Sequence, residues 1–76
     1  MNKIDEVRVK LDKNYNQFHK FLVNKGINTT RTSVYQWCAE IGSKWHVWPS
    51  RPNAVILSRV LDISLQDIYK GTEVHD

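Results

Sequence analysis

Two short amphipathic segments joined by a tight polar turn, between Asn16 and Trp37, constrain this chain more than any other feature of it. The first, NQFHKFLVN, places Phe18, Phe21 and Leu22 on one helical face. The second, TRTSVYQWCAEI, places Val34, Trp37, Cys38 and Ile41 at i, i+3, i+4 and i+7, the spacing of a helix with one buried stripe. Arg31, Thr32, Ser33, Tyr35 and Gln36 are left facing outward in the first two turns of that second helix.

The rest of the chain reads as further short helices, about five in all, without a convincing strand. Helix one is expected from Ile4 to Asn14, with Ile4, Val7 and Leu11 as its apolar stripe and Tyr15 as a candidate fourth member. Asn14 or Asn16 can cap helix two, because a short side-chain oxygen satisfies the orphan amides of a first turn. Gly26 is its natural stop, since glycine takes the left-handed conformation without steric cost. Thr29 or Thr30 can cap helix three. The stretch GSKWHVWPSRP then marks a loop, with one glycine, two prolines and no periodicity.

Ser50 is placed to cap helix four, with Pro52 in the first turn where its missing amide is harmless. Val55, Ile56, Val60 and Leu61 are expected on its buried side, and Leu57 near the edge. Ser64 and Asp67 fit an S-x-x-D capping pattern opening a short helix five, with Leu65, Ile68 and Tyr69 turned inward. Residues 1–71 thus form one helical domain, and 72–76 read as a polar tail.

At 76 residues the chain holds one small core, in the size range where stability is marginal unless packing is efficient or a partner helps. A single cysteine excludes an internal disulfide framework and a cysteine-based zinc site, which suits a reducing cytoplasm. No apolar run nears the ~20 residues that span a bilayer, and the first ten residues lack the apolar core of a signal peptide. The net charge of +3 is unevenly spread. From Lys13 to Arg59 there are seven basic residues and one acid, Glu40, while the other acids lie before and after that stretch. A basic middle with acidic flanks predicts a positive face, and its coincidence with the two-helix segment favours a nucleic-acid partner.

The order of helices, the SVYQW string of helix three and the closing LSRVLDISLQDIYKG resemble the lambda-repressor-like helix-turn-helix domains of phage Cro proteins and repressors. The resemblance spans residues 4–71, with SVYQW its distinctive part. Leu61-Asp62-Ile63-Ser64 matches the family's register of a terminal leucine, a short turn, an apolar residue and a serine cap. Two features depart from the pattern. The stretch from Gly26 to Val34 is longer by one or two residues, and Asp62 stands where the family has a glycine or another small residue. Aspartate accepts the left-handed conformation better than most residues, so the second departure is tolerable.

The resemblance implies a compact five-helix all-α domain, with helix three entering the major groove of an operator. Arg31, Thr32 and Gln36 would read bases, with Ser33 and Tyr35 beside them. A guanidinium can contact guanine O6 and N7 together, Gln36 can pair with adenine, and Thr32 can offer its methyl to thymine. The amides of Asn16 and Gln17 at the head of helix two would meet phosphate, as would Lys44, Ser50 and Arg51. Trp37 and Cys38 read as core. Trp48 reads as a lid on the core, while Trp45 and Val47 form an apolar patch suited to a second copy. Trp45, Val47 and Trp48 are therefore the expected dimer contacts, and a two-fold dimer on a palindrome is the expected working form.

Catalysis is not expected. His19, His46 and His75 lack metal-ligand spacing, and Asp62 and Asp67 are better explained by turn and cap. No cofactor, small-molecule ligand or membrane is expected. Two functions remain: a Cro-like repressor in a bacterial cytoplasm, phage- or prophage-encoded, or an interaction module such as an antitoxin built on the same helices. The outward face of helix three favours the repressor, because Arg31, Thr32 and Gln36 would be purposeless in a module that only grips protein.

Overall fold

The computed structural model describes residues 2–69. Five helices follow in order: α1 (Lys3–Lys10), α2 (Tyr15–Asn24), α3 (Arg31–Cys38), α4 (Arg51–Leu61) and α5 (Leu65–Ile68). No strand occurs among the described residues, and the domain is all-α with five helices, as the periodicity predicts. The expected tail at 72–76 and the boundary at Gly71 lie outside the described residues.

Short polar side chains start these helices for the reason given by their chemistry. Asn14, rather than Asn16, caps α2 through a reciprocal pair: its Oδ1 accepts from Gln17 N–H at 2.8 Å, and Gln17 Oε1 accepts from Asn14 N–H at 2.9 Å. Thr30 Oγ1 accepts from Ser33 N–H at 3.1 Å to open α3, and Ser64 Oγ accepts from Asp67 N–H at 2.9 Å to open α5. Ser50 occupies the cap position of α4 but makes no side-chain capping bond; Pro52 stands in the first turn as expected.

Left-handed residues stop three of the helices. At the end of α2, Gly26 has φ 96°, its N–H donates to Val23 O at 3.0 Å, and Ile27 N–H reaches back to Leu22 O at 3.1 Å. Ile27 and Leu22 are both buried beneath that reversal, so the turn is held by hydrogen bonds and by the core. Asp62 ends α4 with φ 55°, and Ile63 N–H donates to Ser58 O at 3.1 Å. The tolerance of aspartate for this conformation is used here.

The structure corrects helix one, which was expected to reach Asn14. It stops at Lys10, because Asp12 is left-handed (φ 56°) and Lys13 N–H returns to Arg8 O at 3.3 Å. Arg8 Nη1 also donates to Lys13 O at 2.7 Å, fixing the reversal. Leu11 is consequently exposed, and Tyr15 belongs to α2. Helix three is likewise shorter than expected. It ends at Cys38, Ala39 is extended, and Ile41 lies half-buried in the following loop. The carbonyl of Trp37, which a continuing helix would offer to residue 41, instead accepts from Asn2 Nδ2 at 2.6 Å.

Helix four needs the third correction. Ala54, Leu57 and Leu61 are its buried residues, Leu57 completely so, whereas Val55, Ile56 and Val60 are only half-buried. Residues 54–57 are all apolar, so periodicity alone cannot choose the central face there. The small Ala54 allows close approach, and 54, 57 and 61 are the i, i+3, i+7 set.

α3 packs against α1 and α2, while α5 packs against α1 and α4. Phe18 and Leu22 of α2, Val34 of α3 and Ile4 of α1 belong to one core, which Ile27, Trp37, Cys38, Ala54, Leu57, Leu61 and Ile68 complete. Asn2 is the buried polar residue of this join. Its Oδ1 caps α1 by accepting from Ile4 N–H at 2.9 Å, while Nδ2 donates to Trp37 O and, at 2.8 Å, to Ala39 O. The loop after α3 folds back on that helix, where Val47 N–H donates to Gln36 O at 3.1 Å. Its far end is tied to α5 by Tyr69 Oη donating to Pro49 O at 2.9 Å.

Candidate nucleic-acid interface

The outer surface of α3 is set by the turn that precedes it. The turn between α2 and α3 is closed at Gly26 and anchored by Ile27, and a side-chain bond pins its other end: His19 Nε2 lies 2.9 Å from Thr29 O. The longer stretch between Gly26 and Val34 is therefore a fixed connection. It delivers Thr30 as the cap and Arg31 as the first helical residue.

Arg31, Thr32 and Tyr35 are exposed at the head of α3, while Ser33 and Gln36 are half-buried. Ser33 Oγ accepts from Thr30 Oγ1 at 3.1 Å and so belongs to the cap as well as to the face. Gln36 sits where the loop crosses the helix, next to Val47. Three of the five residues expected to face bases are thus freely presented, and the other two lie at the edges of that surface.

Tyr35 has a partner that the sequence did not reveal. Its ring meets that of Tyr15 edge-on, with centroids 5.1 Å apart. The Arg8 guanidinium lies 4.3 Å from the Tyr15 centroid, and its Nε donates to Asp5 Oδ1 at 2.8 Å. The hydrogen bond that Arg8 donates to Asp5 raises the Arg8 pKa further, and burial raises that of Tyr15, so the cation and the neutral phenol persist at physiological pH. Asp5, Arg8, Tyr15 and Tyr35 form a chain of contacts from α1 to the exposed face of α3. Tyr15, Arg31, Thr32 and Tyr35 together line an open surface depression of about 290 Å³ with mostly apolar walls. The asparagine cap at Asn14 was the available signal for Tyr15, because it makes Tyr15 the first residue of α2.

The residues expected at phosphates divide. Asn16 and Gln17 are exposed in the first turn of α2, but the Gln17 amide is already taken by Asn14 Oδ1. That corrects the expectation of two open amides: Asn16 precedes the first intrahelical bond, whereas Gln17 completes the cap. Lys44, Ser50 and Arg51 are all exposed, on the loop and at the head of α4. Lys13 and Lys25 stand over the Phe21 ring at 5.4 and 5.6 Å.

Trp45 and Val47 are exposed, and Lys44 Nζ lies 4.9 Å from the Trp45 centroid. Trp48 is half-buried, with Tyr69 at 5.6 Å and His46 edge-on at 4.4 Å between centroids. Burial lowers the His46 pKa. Trp48 is thus integral to the fold, and the apolar patch comes down to Trp45 and Val47. Cys38 is buried, and desolvation with a contribution from Asp5 pushes its thiol up to about 12, which disfavours the reactive thiolate. Among the described residues no three His, Cys, Asp or Glu side chains converge as a metal site, and no helix is long and apolar enough to cross a membrane.

No protein-family model, curated protein or solved structure matches the chain.

Proposed function

We propose that this protein is a small sequence-specific DNA-binding repressor of the phage Cro type, which occupies a palindromic operator as a dimer with α3 in the major groove. One observation carries the reading: a hydrogen-bonded turn presents Arg31, Thr32 and Tyr35, all exposed, on the first two turns of a short helix. Such residues at the head of a second helix suit base edges. The basic stretch from Lys13 to Arg59 suits the phosphate backbone, and exposed Lys44 and Arg51 would set register without reading sequence. Repression then follows from occupying the operator and excluding polymerase.

Selection from a random duplex library, with Arg31→Ala run in parallel, tests this. The expected result is an inverted repeat with half-sites about one helical turn apart, relaxed at one position per half-site by the variant. Loss of a bidentate contact of about 1–3 kcal/mol corresponds to roughly five- to 150-fold at that base pair. A uniform loss over all sequences would place Arg31 on phosphate. The absence of any enriched motif would refute the reading. Exposed Trp45 and Val47 favour one further reading, a protein-interaction module such as an antitoxin, which the absence of a motif would leave standing.

A further inference from the structure

We infer that the depression between Tyr15 and Tyr35 seats the C5-methyl group of a pyrimidine in the major groove, beside a guanine read by Arg31. This rests on the DNA-binding reading above and names what one part of that surface recognises.

Four observations support it. The depression lies on the exposed side of α3, and its walls are the two tyrosine rings, with Thr32 and Arg31 completing it. Its mostly apolar character is out of place on a face otherwise suited to hydrogen bonding, and the one apolar feature that a base pair shows in the major groove is the methyl at C5. Its walls are pre-set: Tyr15 is held between Arg8 and Tyr35, and Arg8 is held in turn by Asp5 and by Lys13 O. A seat with fixed walls loses little side-chain freedom when filled. Finally, Arg31 among the lining residues and the excess of basic residues from Lys13 to Arg59 complement the phosphate backbone that would carry the methyl to it.

Thymine and 5-methylcytosine display the same methyl, so the chemistry is shared by two natural sources. The test uses the motif recovered by selection, with thymine replaced by uracil at each position in turn; this removes one methyl and leaves the hydrogen-bonding edges intact. Uracil at one position per half-site is expected to weaken wild-type binding about fourfold, the equivalent of roughly 0.8 kcal/mol for one buried carbon. Tyr35→Phe should keep that preference and Tyr35→Ala should erase it. Tyr35 is exposed, and circular dichroism verifies that both variants fold.

Cytosine and 5-methylcytosine at the same position distinguish the sources. A similar gain on methylation assigns the seat to the methyl group from either base, and no gain assigns it to thymine alone. Uracil without effect at every position, or an effect that survives Tyr35→Ala, overturns the inference while leaving sequence-specific binding intact. A library that yields no motif overturns both.

Discussion

Asn2 stands where two helices meet, and its side-chain atoms face in different directions. Oδ1 accepts from Ile4 and Asp5 N–H at the head of α1, and Nδ2 donates to two carbonyls at the end of α3. A buried polar group that satisfies both sides stabilises each, and its removal leaves carbonyls without a donor. Asn2→Ala is therefore expected to cost on the order of 2 kcal/mol, seen as a fall in thermal midpoint of roughly 8–16 °C. Asn2→Asp discriminates between the roles. It keeps the capping oxygen but loses the donor and sets a carboxylate against two carbonyls, so it should be at least as harmful. A stable Asn2→Asp protein would mean that only the cap matters.

At the scale of elements, three chain reversals fix how the helices are joined. Two of them use aspartates in the left-handed conformation, Asp12 and Asp62, and the third, next to α3, uses Gly26. A Cβ at Gly26 would meet nothing within 4 Å, so a substitution there is resisted by backbone strain alone. Gly26→Ala is expected to lose about 1 kcal/mol in chemical denaturation, and Gly26→Asn less, because asparagine visits the left-handed region more readily. Equal losses for the two would indicate a clash instead. The same turn is tied by His19 and by Ile27, which gives the stretch from Gly26 to Val34 a defined path.

At the scale of the molecule, the described residues measure 36 × 23 × 21 Å. In the proposed dimer, recognition helices one helical turn apart would be separated by ~34 Å, and each copy would span about half that distance from α3 to the axis. Trp45 is 57% exposed and Val47 46%, and nothing in the core depends on them. Trp45→Ala is expected to leave the monomer folded and to weaken self-association about tenfold, measured by sedimentation, together with cooperative binding to a palindrome. A variant that associates normally would remove the patch from the interface.

Most of the helical plan was legible because its signals act over a few residues. Asparagine, threonine and serine caps, the glycine after α2, the aspartate after α4 and the stripes of α2 and α3 are local features. They depend on which backbone groups lie within one turn of a side chain. One misjudged boundary has a local cause that periodicity does not report, and the other a long-range one. Arg8 closes α1 early through a residue beyond its end, and Asn2 takes the carbonyl that α3 needed to continue. The candidate site divides in the same way. Arg31, Thr32 and Tyr35 followed from helical spacing, because a buried stripe fixes what must face outward. The Tyr15–Tyr35 depression did not, since its two rings come from separate helices and are braced from a third. By itself the sequence determined where helices begin and which residues of α3 look outward. Tertiary packing alone decided what stands beside them, because neighbours from distant segments are chosen by the burial of a shared core.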